Sequence, residues 1–268
     1  MDIRDIYQLF KEHPLICTDT RNITKNSLFF ALKGDNFNGN QFASEAVQNG
    51  AAYSIIDEPE HQKTAHHILV DNVLNTLQQL ASFHSKQLNI PIIGITGTNG
   101  KTTTKELTQS VLSQKYLCYA TKGNLNNHIG VPLSVLEIND HHEIAIIEMG
   151  ANHIGEIADL CKISQPTTGL ITNIGKAHLE GFGSFDGVKQ AKSELYLFLQ
   201  NHDSPVFING DNDILGKLAD GLFQITYGNS EKNQIIGQLE KSEEHLSLSW
   251  KKYNYFGFTP VISTNLIG

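Results

Sequence analysis

Short apolar runs rich in Ile and Val alternate along the chain with longer stretches in which apolar residues return every three or four positions. The first pattern belongs to strands buried on both faces, the second to helices with one inward stripe. From residue 90 onward the alternation is regular. Residues 90–96, 144–148, 169–174 and 206–209 read as strands, and residues 101–113, 153–161 and 188–199 as helices. That succession predicts a mainly parallel sheet with helices on both faces. After Gly228 the character changes: Ile235-Ile236, then residues 246–250 and 255–258, alternate apolar with polar and predict a few antiparallel strands.

Residues 1–89 read as a separate, small α/β domain. Ile3, Ile6, Tyr7 and Phe10 fall on one helical face, and residues 15–18, 27–32 and 52–56 read as strands. A helical stretch over 42–48 is closed by Asn49-Gly50, and another over 73–88 leads to Asn89-Ile90-Pro91, where the proline marks a domain joint. The expected division is therefore 1–89 and 90–268.

The second domain opens on Thr96-Gly97-Thr98-Asn99-Gly100-Lys101-Thr102-Thr103. A strand, a glycine loop and a helix in that order capture anions, because the amides of the loop and of the first helical turn have no intrahelical partners. Polyphosphate is the guest this predicts, with Lys101 as a point charge and the Thr102 hydroxyl placed for magnesium. The generic phosphate-loop pattern wants a glycine where this chain has Ile95, so the loop is a shortened variant.

Other strand ends carry candidate groups. Glu148 ends a buried run and could bring magnesium the carboxylate that a single hydroxyl cannot replace. His178 follows the next strand, where it could ligate a metal, bond a phosphate or simply sit at the surface. Lys192 lies on the apolar stripe of Val188, Ala191, Leu195 and Leu199. Its ammonium either snorkels to water or is held in the site with a lowered pKa, open to modification. The asparagine-rich loop of residues 123–130 could donate to phosphate, accept from an amine or be simple turn chemistry, and the polar run from Asn209 to Asp213 ends another strand of the sheet. In the first domain, Asp19-Thr20-Arg21 and the loop around Asp35-Asn36-Phe37 follow strands; on periodicity alone, simple turn chemistry is the favoured reading.

Composition narrows the classes. With 40% hydrophobic and 18% charged residues in 268, the chain is that of a folded protein large enough for two cores. A formal charge of −8 argues against nucleic acid as partner. No run is long and apolar enough for a membrane span, and the acidic N-terminus lacks a signal core. The three widely spaced cysteines fit a reducing cytoplasm. A monomer is expected.

The segments 96–104, Glu148-Met149-Gly150, 173–183 and Ala191-Lys192-Ser193-Glu194 together resemble the Mur ligases, ATP-dependent enzymes that build the peptide of bacterial cell wall. Residues 123–133, 148–157 and 177–184 are similar to the member acting on UDP-N-acetylmuramoyl-tripeptide and D-alanyl-D-alanine. The resemblance implies an acyl phosphate made with ATP, then attacked by the amine to give an amide. It further implies Gly97, Thr98, Asn99, Gly100, Lys101, Thr102 and Thr103 on ATP, Asn209 at its adenine, and Thr102 with Glu148 on one Mg2+. His178 and a carbamoylated Lys192 would surround a second ion, so that Lys101, His178 and Lys192 form the catalytic set. Thr20 and Asp35, Asn36 and Phe37 would meet the uridine part. Thr20 stands where the family usually has serine, which keeps the hydroxyl. Relatives carry a third domain after the central one, and a chain ending near residues 264–268 is expected to be catalytically incompetent alone. Other amide ligases of the same scaffold, such as folylpolyglutamate synthases, and a non-catalytic nucleotide-binding module are the competing readings.

Overall fold

A computed structural model describes residues 1–175, 179–240, 246–254, 257–258 and 262–266. They form two compact units, neither contiguous in sequence.

The first unit comprises Met1–Pro91, Lys105–Met149 and Asp159–Gln165. Its N-terminal part is a four-stranded, wholly parallel sheet in the order Ile16–Cys17, Leu28–Phe30, Tyr53–Ile56, His67–Leu69. Parallel strands are covered on both faces, and Leu28, Phe29 and Phe30 are accordingly all fully buried. The helix Ile3–Glu12 buries Ile6 and Phe10, and the Asp5 carboxylate accepts from the Asp2 amide at its start. The helix Ala43–Gln48 ends at Asn49-Gly50, with Gly50 at φ 113°, as its stop signal predicts.

The helix Val73–Ser85 starts from Asn72, whose side chain accepts from the Asn75 amide at 2.8 Å. Leu77, Leu80 and Ala81 are its buried stripe. On another side Ser82 and Ser85 donate to the carbonyls of Lys162 and Ile163, each at 2.8 Å, and His84 meets that of Ile138. These bonds tie the N-terminal sheet to the rest of the unit, where the strands Cys118–Ala120 and Ile144–Glu148 pair in parallel beside the helix Gly130–Leu136.

The second unit comprises Ile92–Thr104, Gly150–Ala158 and Pro166–Gly268. Ile92–Thr96, Thr168–Ile171, Val206–Asn209, Gln224–Gly228 and Ile235–Glu240 pair in that order, all parallel. Leu246–Asn254 then runs antiparallel to Ile235–Glu240, and Ile262–Leu266 antiparallel to it in turn. Antiparallel strands close the sheet as expected, but the change comes one strand later than the hydrophobic pattern predicts, because Ile235–Glu240 still pairs in parallel with Gln224–Gly228. Gly169 is a close-packing position, since a Cβ there would lie 2.6 Å from the Gly94 carbonyl of the neighbouring strand.

The helix Phe185–Gln200 is longer than the predicted 188–199 because Ser184 caps it, its hydroxyl accepting from the Gly187 amide. The expected helix over 153–161 lies instead at Glu156–Ser164. Among the described residues no helix is long and apolar enough to cross a membrane.

Candidate functional site

In the second unit the strand Ile92–Thr96 delivers the chain into the glycine loop, and Lys101 opens the helix Lys101–Leu112. Gly97 adopts φ 148° and Gly100 φ 76°, values that L side chains rarely take. A Cβ on Gly97 would also lie 2.0 Å from the Thr172 hydroxyl, so no other residue fits. Around Gly100 a Cβ would meet nothing within 4 Å, which leaves the loop open above that residue.

The loop is gripped by the segment that follows the neighbouring strand. The Thr98 amide donates to the Asn173 carbonyl (3.0 Å), the Asn99 amide to Asn173 Oδ1 (3.1 Å), and Asn173 Nδ2 and the Thr172 hydroxyl both donate to the Asn99 carbonyl (2.9 and 2.6 Å). The Gly175 amide completes the grip at Thr98 Oγ1 (2.9 Å). Lys101 folds back so that its Nζ donates to the carbonyls of Gly97 (2.9 Å) and Thr98 (3.2 Å). Thr102 and Thr103 are exposed.

Lys192 does not snorkel: it is 3% exposed. Burial pushes its ammonium down to about 8, and the nearby positive charge of Lys101 pushes the same way against the opposing pull of Glu156 and Glu194. Its Nζ stands 5.4 Å from the centre of the Phe182 ring. Two positions on, Glu194 is also buried, and its carboxylate accepts from the amides of Gly155 (2.6 Å) and Ala158 (2.9 Å), at the first turn of the helix Glu156–Ser164. Glu156 in turn accepts from the amides of Asn152 and His153 and is held below the usual carboxylate range. The acidic grip of Glu194 had a sequence signal only in its place beside Lys192. His178 lies outside the described residues.

Asn209 ends its strand and turns its side chain inward on the chain, Oδ1 accepting from the Asp211 amide at 3.1 Å. Asp211 accepts from the amides of Asn229 and Ser230 and from Asn233 Nδ2, and these bonds lower its pKa.

In the first unit Glu148 ends the strand Ile144–Glu148 and is 1% exposed. Its amide donates to the Thr121 hydroxyl (3.0 Å), and Oε1 accepts from Asn126 Nδ2 (2.7 Å). Oε2 is buried and has no hydrogen-bond partner among the described residues. A buried carboxylate oxygen left in this state is costly unless a cation or donor completes it, which is the chemistry of a magnesium ligand.

The N-terminal candidates are more exposed. Thr20 begins a single 3-10 turn whose cap is Asp19; Asp19 accepts from the Arg21 amide and pairs with its guanidinium at 2.6 Å, which lowers the acid to about 2. Asp35 and Asn36 form the two-residue tip of a hairpin between Lys33–Gly34 and Phe37–Asn38. Phe37, 48% exposed, stacks on Phe42 with ring centres 5.3 Å apart.

The model of the Mur ligase middle domain matches residues 95–268, and that of the Mur ligase family, catalytic domain, matches residues 14–94. The chain belongs to the Mur ligase family. It is 37% identical over 250 residues to UDP-N-acetylmuramoyl-tripeptide–D-alanyl-D-alanine ligase of Bacillus subtilis, covering 92% of this chain and 54% of that protein. To the enzyme of the same name from Escherichia coli it is 39% identical over 198 residues, 74% of this chain and 43% of that one. Among solved structures it is similar to MurF from Acinetobacter baumannii (TM-score 0.81, 30% identity, 97% of this chain and 60% of that chain). It is also similar to MurF ligase from Thermotoga maritima in complex with ADP (TM-score 0.80, 28% identity, 95% and 58%). The chain spans about half the length of the curated relatives it matches.

Proposed function

We propose that this chain supplies the ATP-binding and UDP-substrate-binding parts of a cytoplasmic ligase of peptidoglycan synthesis, one that joins D-alanyl-D-alanine to UDP-N-acetylmuramoyl-tripeptide. The observation that carries the reading is the glycine loop, fixed by Thr172 and Asn173 and open above Gly100. The named relatives support the choice of reaction.

In this reading Gly97, Thr98 and Asn99, whose amides at 98 and 99 are taken up by Asn173, shape the loop, the amides from Gly100 to Thr103 and the Lys101 ammonium hold the triphosphate, and Asn209 meets the adenine. Lys101 leaves the Gly97 and Thr98 carbonyls to take a phosphate oxygen in their place. Thr102 and Glu148 are the residues proposed to hold magnesium, which would supply charge neutralisation for the phosphates, and the orphaned Oε2 of Glu148 fits that role. Lys192 and His178 are proposed at a second ion. A lysine near 8 has a substantial neutral fraction, and its amine can add to carbon dioxide and lose a proton to become a carbamate. Beside Lys101 that anion replaces a repulsion by an attraction, which supports carbamoylation of Lys192. Thr20 and the Asp35-Asn36-Phe37 tip are proposed at the uridine, and residues 1–89 and 90–268 as the two functional domains.

Titration of a fluorescent ATP analogue with magnesium into this chain and its Lys101→Ala variant tests the nucleotide reading. The variant is expected to bind at least about tenfold more weakly, since a charge-assisted phosphate contact contributes about 1.5–3 kcal/mol. Equal affinity of the two proteins would overturn it. For the gene product that contains residues 1–268, phosphate release is expected to require both UDP-N-acetylmuramoyl-tripeptide and D-alanyl-D-alanine.

A further inference from the structure

Lys105 is fully buried, one helical turn beyond Lys101 on the helix Lys101–Leu112. Taking an ammonium out of water is expensive, and an apolar side chain of similar volume would fill the same space at lower cost. Its ion pair with Glu106 (2.9 Å) does not account for it, because that carboxylate is 60% exposed and such pairs are weak. The buried partner is the carbonyl of Thr121, which accepts from Nζ at 2.6 Å.

Thr121 sits where a parallel ladder breaks. Cys118, Tyr119 and Ala120 pair with Ile144, Ala145 and Ile146, and the Thr121 amide still donates to the Ile146 carbonyl at 3.0 Å. The next donor on the neighbouring strand, the Glu148 amide, meets the hydroxyl of Thr121. The carbonyl of Thr121 is thereby turned to Lys105, and the chain swings into the loop that carries Asn126 to Glu148 Oε1 (2.7 Å). An ammonium is the right cap for a buried carbonyl that has left its ladder.

We propose that Lys105 is a positioning residue: by holding the Thr121 carbonyl it fixes the main chain and the Asn126 loop that aim the Glu148 carboxylate, leaving Oε2 free for a divalent cation. This rests on the reading of Glu148 as a metal ligand and adds a residue that touches neither metal nor nucleotide. Outer-shell partners of this kind change metal affinity by about 10–100-fold when lost.

The test uses this chain, ADP and Mn2+ as the spectroscopic probe, with bound manganese read by electron paramagnetic resonance. Lys105→Met is expected to weaken Mn2+ binding about tenfold while ADP binding in EDTA stays within about twofold of wild type. Lys105→Arg, which keeps a buried cation, is expected to recover part of the loss. Thr121→Val removes the hydroxyl that accepts from the Glu148 amide while preserving shape, and is expected to show the same selective loss through the other half of the Thr121 anchor; if Lys105→Met does not fold, Lys105→Gln is measured in its place, with the same loss expected. Glu148→Gln separates the two readings. If it leaves Mn2+ affinity unchanged, the metal role of Glu148 fails and this inference with it. If it weakens Mn2+ while Lys105→Met and Thr121→Val do not, or if those variants lose metal-free ADP binding equally, only the positioning role of Lys105 is overturned.

Discussion

The glycine loop at 97–100 and the hairpin at 33–38 are both polar turns that follow buried strands, yet their bonds run in different directions. Thr98 and Asn99 are held by residues more than seventy positions away, and Gly97 has no space for a side chain. The hairpin is tied only at its stem, where Lys33 pairs with Asp57 (2.9 Å) and Asn38 Nδ2 donates to Glu58 (2.9 Å); its tip at Asp35 and Asn36 is exposed. A turn shaped from outside is fixed before a ligand arrives, whereas a turn shaped by its own residues can change sequence and keep its form.

The sharpest way to break that contrast is Gly97→Ala. Strain at φ 148° and the clash with Thr172 are expected to cost about 2–4 kcal/mol in urea unfolding and to abolish nucleotide binding. A variant of wild-type stability that still binds ATP would show that the grip is looser than described.

Lys192 gives the next largest effect. Its folded pKa of about 8 lies below the unfolded value of 10.5, so between these values the unfolded chain binds more protons and stability rises with pH. The burial penalty on the ammonium is fully felt below pH 8 and is gone above 10.5. In carbon dioxide-free buffer, which keeps the amine unmodified, comparison of wild type with Lys192→Met across that window is expected to show a rise of about 3 kcal/mol in wild type that the variant lacks. Parallel stability curves for the two proteins would place the ammonium in solvent.

The smallest effect is expected at the hairpin tip. Asn36→Ala should change stability by no more than about 0.5 kcal/mol. Because the tip is proposed at the uridine, its contribution is read separately, by calorimetric titration of UDP into wild type and Phe37→Ala; several-fold weaker binding by the variant is expected, and identical isotherms would confine the tip to a structural role.

The parallel architecture was legible because strands such as Leu28–Phe30 and Ile144–Glu148 must be apolar on both faces, and a continuous apolar run is visible without alignment or context. The glycine loop was legible for a related reason, since both its glycines answer a backbone demand that few other residues meet. Shorter or half-buried elements were not, among them the three-residue strand His67–Leu69. Cys118–Ala120 is too short to show a period, and the helix Gly130–Leu136 hides behind Pro132, which is tolerated because it lies in the first turn where its missing amide has no partner to lose. The strand Gln224–Gly228 is half-buried throughout and has no clean alternation. Among site residues, the inward course of Lys192 was readable as one of two choices, but the partners that decide it, Lys101 and Glu194, come from elsewhere in the chain or reach across it. The burial of Lys105 depends on the Thr121 carbonyl, which no local pattern announces.

The clamp of Thr172 and Asn173 on Asn99 also bears on speed. If this loop is the phosphate seat proposed above, its main chain is in place before encounter and only the Lys101 side chain has to move, so the association rate for nucleotide should approach the range set by diffusion and charge. Differences in affinity among nucleotides would then appear in how long each one stays.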